Sequence, residues 1–170
     1  VAINVLRPIS RKYDKAEHAY PKELDMLASL IDGMNEGGEG INAGAAGAGK
    51  RGETDNEGVR NGTNMSTALG IIEMCYGDTG LLLSMPRQGL GNSAIAAVAN
   101  DEQLERFKGT WAAMAITEPG CGSDSAAIRT TATKDGNDYI LNGEKIFVTS
   151  GERADSVVVW ATLDRKLGRA

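Results

Sequence analysis

The feature that most constrains this chain is a run of small and apolar residues, Trp111 to Ile116, that stops abruptly at Thr117-Glu118-Pro119-Gly120 and passes into Cys121-Gly122-Ser123-Asp124. A short apolar run bounded by turn residues reads as a strand. Pro119 fixes φ and removes one donor, while Gly120 and Gly122 allow positive φ and carry no Cβ to keep a flat or anionic ligand off the backbone. A strand that ends this way delivers its last residues to a ligand.

After Trp111 the hydrophobic period is two. Ile128, Thr130 and Ala132 alternate with Arg129, Thr131 and Thr133, and a turn is expected at Asp135-Gly136-Asn137-Asp138. The segment Tyr139 to Gly151, YILNGEKIFVTSG, then reads as a hairpin on Asn142-Gly143, because an Asn-Gly pair supplies the positive φ values of a type I′ turn. Ser156 to Thr162 reads as a buried strand.

Before Trp111 the period is helical. Val5, Leu6, Ile9, Tyr13, Ala16 and Tyr20 recur at three and four, predicting one surface helix from Ile3 to Tyr20. Pro21 suits the first position of a second helix whose buried face is Leu24, Leu27, Leu30, Ile31 and Met34. Helical spacing resumes at Met65, Ala68, Leu69, Ile72 and Cys75 or Tyr76, breaks at Gly77 to Gly80, and returns through Leu81 to Met85 and Ser93 to Ala99, a series predicting helices buried on several sides. Asn100 with Gln103 resembles a capping box opening Asp101 to Lys108, with Gly109 as the residue that ends it. Helices first and strands second make an α+β order: a helical domain over 1–110 and a β-domain from 111 to 170, cut off in mid-course.

A net charge of −5 argues against nonspecific binding to nucleic acid or an anionic membrane, since either needs a basic face. The longest apolar runs are too short to cross a bilayer, and the start of the chain lacks a secretory pattern, so a cytoplasmic protein is expected. One histidine, His18, and two cysteines, Cys75 and Cys121, without CxxC spacing leave little from which to build a metal centre or a disulfide framework.

Between Gly37 and Gly62 nine glycines and almost no large apolar residue predict a mobile loop. Inside it Gly44 to Lys50 nearly spells a P-loop, but Arg51 stands where the Mg²⁺-binding Ser or Thr belongs and no hydrophobic strand precedes it. Gly89-Leu90-Gly91-Asn92-Ser93-Ala94 matches the dinucleotide pattern GxGxxA without the strand that pattern needs upstream, so its glycines read as helix junctions.

AITEPGCGSD, followed at the right distance by YILNGEKIFVTSG and a further strand, resembles the flavin-binding signature of the acyl-CoA dehydrogenase family. The resemblance implies an N-terminal helical domain and the first part of a middle, β-barrel-like flavin-binding domain, with the family's C-terminal helical domain not represented. It implies FAD held by Met114, Ile116, Thr117, Gly122, Ser123, Phe147, Val148 and Thr149, with Ser123 also touching a fatty acyl-CoA substrate. Phe147 stands where many relatives have tryptophan. The implied reaction is α,β-dehydrogenation of the thioester in fatty-acid β-oxidation. Its base is expected in the C-terminal domain, so no catalytic base is assigned here, Glu118 being read as a support of the turn. An electron-transfer flavoprotein as acceptor and a homo-oligomer, commonly a homotetramer or dimer, are implied as partners. A truncated, inactive chain and a P-loop nucleotide-binding protein are the alternatives; as given, the chain is expected to be inactive alone.

Overall fold

A computed structural model of the protein describes residues 1–17, 19–36, 63–86 and 90–166. The chain divides into two compact units, Val1–Trp111 and Ala112–Ala170. His18, the glycine-rich stretch with its P-loop-like sequence, and Gly89 of the GxGxxA match lie outside the described residues.

The first unit is helical. A π-helical stretch, Ala2–Leu6, runs directly into α1, Arg7–Ala16, and is followed by α2 (Glu23–Glu36), α3 (Thr63–Gly77), α4 (Thr79–Leu83), α5 (Leu90–Val98) and α6 (Asp101–Phe107). Its core is Leu6, Leu24, Leu27, Met74, Leu81 and Met85, with Val5, Ile9, Tyr13 and Leu82 packed against it. Each large aliphatic side chain so buried contributes roughly 1.5–3 kcal/mol. The start of α2 is tied to α1 by the Tyr13 hydroxyl, which donates to Glu23 at 2.6 Å, and by Lys12, which donates to the same carboxylate at 2.9 Å. Asp78 separates α3 from α4: it caps α4 by accepting from the Leu81 amide at 2.8 Å, and it also accepts from the Ser10 hydroxyl.

The helix predicted from Ile3 to Tyr20 ends at Ala16, where Glu17 takes φ +50°, and α2 begins two residues after Pro21. Leu30 is exposed rather than buried, because Leu24, Leu27 and Ala28 are the residues that face the core. The stripe Met65, Leu69, Ile72 and Tyr76 is also exposed; α3 meets the core through Met74 instead. Periodicity identified the helix, yet Met74 lies off the predicted stripe. The capping box is present as expected, with Asn100 accepting from the Gln103 amide at 2.8 Å and Gln103 accepting from the Asn100 amide at 3.0 Å. In the GxGxxA match, Gly91 and Asn92 are buried near the start of α5, and the preceding described element is helix α4, not a strand.

The second unit carries β1 (Ala112–Ala115), a short 3₁₀ turn (Ser125–Ala127), β2 (Thr131–Asp135), β3 (Asp138–Asn142) and β4 (Ser156–Val159). β2 and β3 form an antiparallel hairpin in which Thr131 pairs with Asn142 and Asp135 with Asp138. β1 and β4 pair in parallel, Ala112 with Ser156 through Ala115 with Val159. Beyond β4 the chain shifts partner: Thr162 donates to Thr130 and accepts from Ala132, which ties it to the entry of β2.

The hairpin expected on Asn142-Gly143 is not formed. The reversal is the Gly136-Asn137 turn, with Gly136 at φ +59°, the positive value that a type II′ turn asks of its first central residue. Asn142 closes β3, and Gly143 instead passes so close to Thr130 that a Cβ there would overlap its backbone. Both Gly-Asn and Asn-Gly are competent turns; the pairing of β2 with β3 decides between them.

Candidate functional site

The buried strand β1 ends at Ala115 and hands the chain to Ile116 and Thr117, both half-buried. The reversal after them is tight: the Glu118 amide donates to the Cys121 carbonyl at 2.9 Å, the Cys121 amide returns to the Glu118 carbonyl at 3.1 Å, and Pro119 and Gly120 form the exposed tip. Gly122, Ser123 and Asp124 follow, also exposed, before the 3₁₀ turn.

Glu118 turns its side chain inward. Its carboxylate accepts from the backbone amides of Arg129 at 2.7 Å and Thr130 at 2.9 Å and from the Lys145 ammonium at 2.8 Å. Burial pushes this carboxyl up, but Lys145, Thr130 and the two amides outweigh it and hold Glu118 well below the usual carboxylate range. Three hydrogen bonds from two segments, 129–130 and Lys145, engage this carboxylate and tie the turn to them.

Lys145 also donates to the Ile116 carbonyl at 2.9 Å, and the amide of Ile146 donates to the Thr117 carbonyl at 2.9 Å. The strand-end turn and the segment entering Phe147 are thus joined side by side. Phe147 is 87 % exposed and sits at φ +55°. A left-handed conformation costs a residue with a Cβ roughly 1–2 kcal/mol, and such strain concentrates where a side chain must be presented. Val148 and Thr149 are half-buried in the turn that follows, where Val148 accepts from the Gly151 amide at 3.1 Å.

Of the eight residues singled out in the sequence, Met114 lies in β1 opposite Val158, Ile116 and Thr117 lie at its end, and Gly122 packs toward the Thr117 methyl group, 3.9 Å from an ideal Cβ position. Phe147, Val148 and Thr149 follow directly on the residues bonded to Ile116 and Thr117. Ser123 is exposed beside Gly122. The carbonyls of Ile116 and Thr117 are already engaged, by Lys145 and by the Ile146 amide. Lys145 was not singled out; a lysine between Glu144 and Ile146 in a polar–apolar alternation reads as a solvated face, and its partners are 27 and 29 residues away.

Among the described residues no cluster of His, Cys, Asp and Glu could hold a metal ion, and no helix is long and apolar enough to cross a membrane.

Residues 113–170 match the family model described as acyl-CoA dehydrogenase, middle domain. The chain is 39 % identical over 108 residues to a 3-(aryl)acrylate reductase of Clostridium sporogenes, an alignment covering 60 % of this chain and 28 % of that protein. It is 35 % identical over 108 residues to a probable medium-chain specific acyl-CoA dehydrogenase of Caenorhabditis briggsae, covering 60 % of this chain and 26 % of the other. It thus spans about a quarter of the length of these curated relatives. A glutaryl-CoA dehydrogenase from Mycobacterium smegmatis, solved in complex with FADH2, superposes with a TM-score of 0.66 at 26 % identity over 94 % of this chain and 39 % of that one. In its matched middle-domain residues and in its fold, the chain is similar to the acyl-CoA dehydrogenase family.

Proposed function

We propose that this chain supplies the helical domain and the first part of the middle domain of a flavin-dependent acyl-CoA dehydrogenase, with FAD held between the strand-end turn and the Phe147 segment. The carrying observation is the Thr117–Ile146 backbone bond, which sets beside one another the two stretches that hold the candidate ligand-facing residues. Gly122 supports the reading. It has neither a positive φ nor a crowded Cβ position, so nothing in the protein itself demands glycine there, whereas an approaching phosphate would.

In this reading Gly122 and Ser123 hold the pyrophosphate, and Met114, Ile116, Thr117, Val148 and Thr149 hold the ring against an exposed aromatic face at Phe147. When bound, FAD supplies the hydride acceptor. The residues of this chain bind and orient: the Thr117 and Thr149 hydroxyls offer hydrogen bonds to the polar edge of the ring, and Phe147 covers it from water. The substrate is a fatty acyl-CoA, met in part by Ser123, and α-proton removal falls to a base outside this set, because the Glu118 carboxylate is buried, engaged by two amides and Lys145, and lowered in basicity by them. Electron-transfer flavoprotein as acceptor, a homo-oligomer, a place in fatty-acid β-oxidation and a cytoplasmic location belong to the same proposal, and rest on the sequence resemblance.

A second reading has one observation in its favour, the 39 % identity to a 3-(aryl)acrylate reductase. The same site would then run in the opposite direction, adding hydrogen across an α,β double bond. Both readings are tested under anaerobic conditions on purified protein in which this chain is joined to the base-bearing domain that the reading requires. Bleaching of the flavin absorbance by saturated acyl-CoA supports dehydrogenation; reoxidation of pre-reduced protein by an arylacrylate, without bleaching by acyl-CoA, supports reduction. Protein that takes up no FAD would contradict both.

A further inference from the structure

We propose that Lys145 and Glu118 form a latch that fixes the separation of the two flavin-facing stretches, residues 116–118 and 145–149, with Lys145 as a positioning residue; this rests on the flavin reading above. The pair is well covered, the Lys145 and Glu118 side chains being 10 % and 5 % exposed, whereas the other ion pairs described are largely solvated. Burying two charges is expensive, and an apolar pair of similar volume often stabilises a fold at least as well. The geometry supplies a reason to keep the charges. One ammonium bridges the Ile116 carbonyl and the Glu118 carboxylate, and that carboxylate is itself pinned to the amides that lead into β2. The next residue, Ile146, bonds the Thr117 carbonyl, and the residue after that is the exposed, left-handed Phe147. Any slackening at Lys145 therefore moves Thr117 and Phe147 apart. An apolar contact, being non-directional, would hold the two stretches together without fixing their offset.

The test compares the wild-type protein with Lys145→Met, Lys145→Arg and Glu118→Gln. Backbone amide exchange is read on the apoprotein, and FAD affinity by quenching of flavin fluorescence. Lys145→Met should raise exchange at Ile146 at least tenfold while the β2–β3 amides of Thr133 and Ile140 keep their rate, and should weaken FAD binding by about 10- to 100-fold, as loss of an outer-shell support commonly does for a metal site. Lys145→Arg, which keeps the charge, should recover most of that affinity. Glu118→Gln keeps the shape of the carboxylate, removes its charge, and carries the same expectation if Lys145→Met does not fold. Folded variants that bind FAD within twofold of wild type would overturn the latch, as would an exchange increase spread evenly over the unit, which marks plain destabilisation. Failure of the wild-type protein to take up FAD would overturn the flavin reading, and is seen before any variant is compared.

Discussion

Gly143 passes against Thr130 so closely that any Cβ on it would run into the Thr130 backbone. That contact sits where β3 has just ended and where Glu118 grips the Arg129 and Thr130 amides, so the crossing fixes the path from the hairpin to Lys145. Gly143→Ala must push the two segments apart, because the Thr130 Cα and Cβ, 2.6 and 2.7 Å from the new Cβ, cannot move out of the way by a side-chain rotation as its Oγ1 could. The expected cost is about 2–3 kcal/mol, the upper part of the range for overpacking. Urea denaturation should show a lower midpoint with an unchanged slope, and a loss under 0.5 kcal/mol, roughly the level of an ordinary surface substitution, would contradict the contact.

Acid should act on Glu118. Its carboxyl is held well below the ordinary value of 4.5 by Lys145, Thr130 and two amides acting against burial. A group whose folded pKa is depressed contributes stability that is fully present above its unfolded pKa and is lost as pH falls from there toward the folded value. Wild type should therefore exceed Glu118→Gln by about 3 kcal/mol at neutral pH, the scale of a broken buried pair. The gap should stay level down to about pH 5 and close below about pH 4.5. Denaturant titrations at several pH values test this, and a gap that widens as the pH falls would reverse the assignment.

What could be read from the sequence was what the chain decides locally. The capping box of Asn100 and Gln103 needs only residues three apart, and it forms as read, with Gly109 at φ +74° just after it. The end of the strand just before Ile116 and Thr117 and the reversal through Pro119-Gly120 were equally local. What stayed hidden depends on partners far along the chain. The turn read at Asp135 to Asp138 forms, but that Asn142-Gly143 closes no hairpin of its own depends on the pairing of β2 with β3, which a turn-competent dipeptide cannot announce. The parallel pairing of β1 with β4 joins residues 44 apart, as in Ala112 with Ser156, and leaves no local trace. Lys145 is the same case, since its alternation pattern points to water while its ammonium lies among carbonyl and carboxylate oxygens.

Gly122 gives a test that separates ligand from scaffold. An ideal Cβ there is 3.9 Å from the nearest atom, the Thr117 Cγ2, which is ordinary van der Waals contact. Gly122→Val should thus leave the apoprotein within about 0.5 kcal/mol of wild type, like other surface changes. If phosphate oxygens approach this backbone, the same substitution should abolish flavin retention. Thermal melts of apoprotein set beside flavin absorbance after gel filtration decide the matter: a variant that stays yellow removes Gly122 from the site, and one that unfolds shows a scaffold role instead.

Phe147 should show the opposite balance, a cost in the empty protein that is recovered only with ligand. Its φ of +55° is unfavourable for a residue with a Cβ, and at 87 % exposure its ring gains little from burial within the chain. Glycine adopts that conformation without strain, although it adds conformational freedom to the unfolded chain, so the two effects partly offset. Phe147→Gly should therefore leave the apoprotein as stable as wild type or raise its stability by up to about 1 kcal/mol. An exposed aromatic ring kept at such a cost has its use in contact with something flat. The same variant should bind FAD at least tenfold more weakly, about 1.4 kcal/mol, in line with what an aromatic stacking partner contributes. Phe147→Trp should preserve binding, because an indole keeps the aromatic face. The readouts are chemical denaturation of the apoprotein and flavin fluorescence titration. A Phe147→Gly variant that loses stability by more than about 1 kcal/mol, beyond what backbone freedom explains, while binding FAD as wild type does would make the ring a packing residue of the scaffold and remove it from the flavin site.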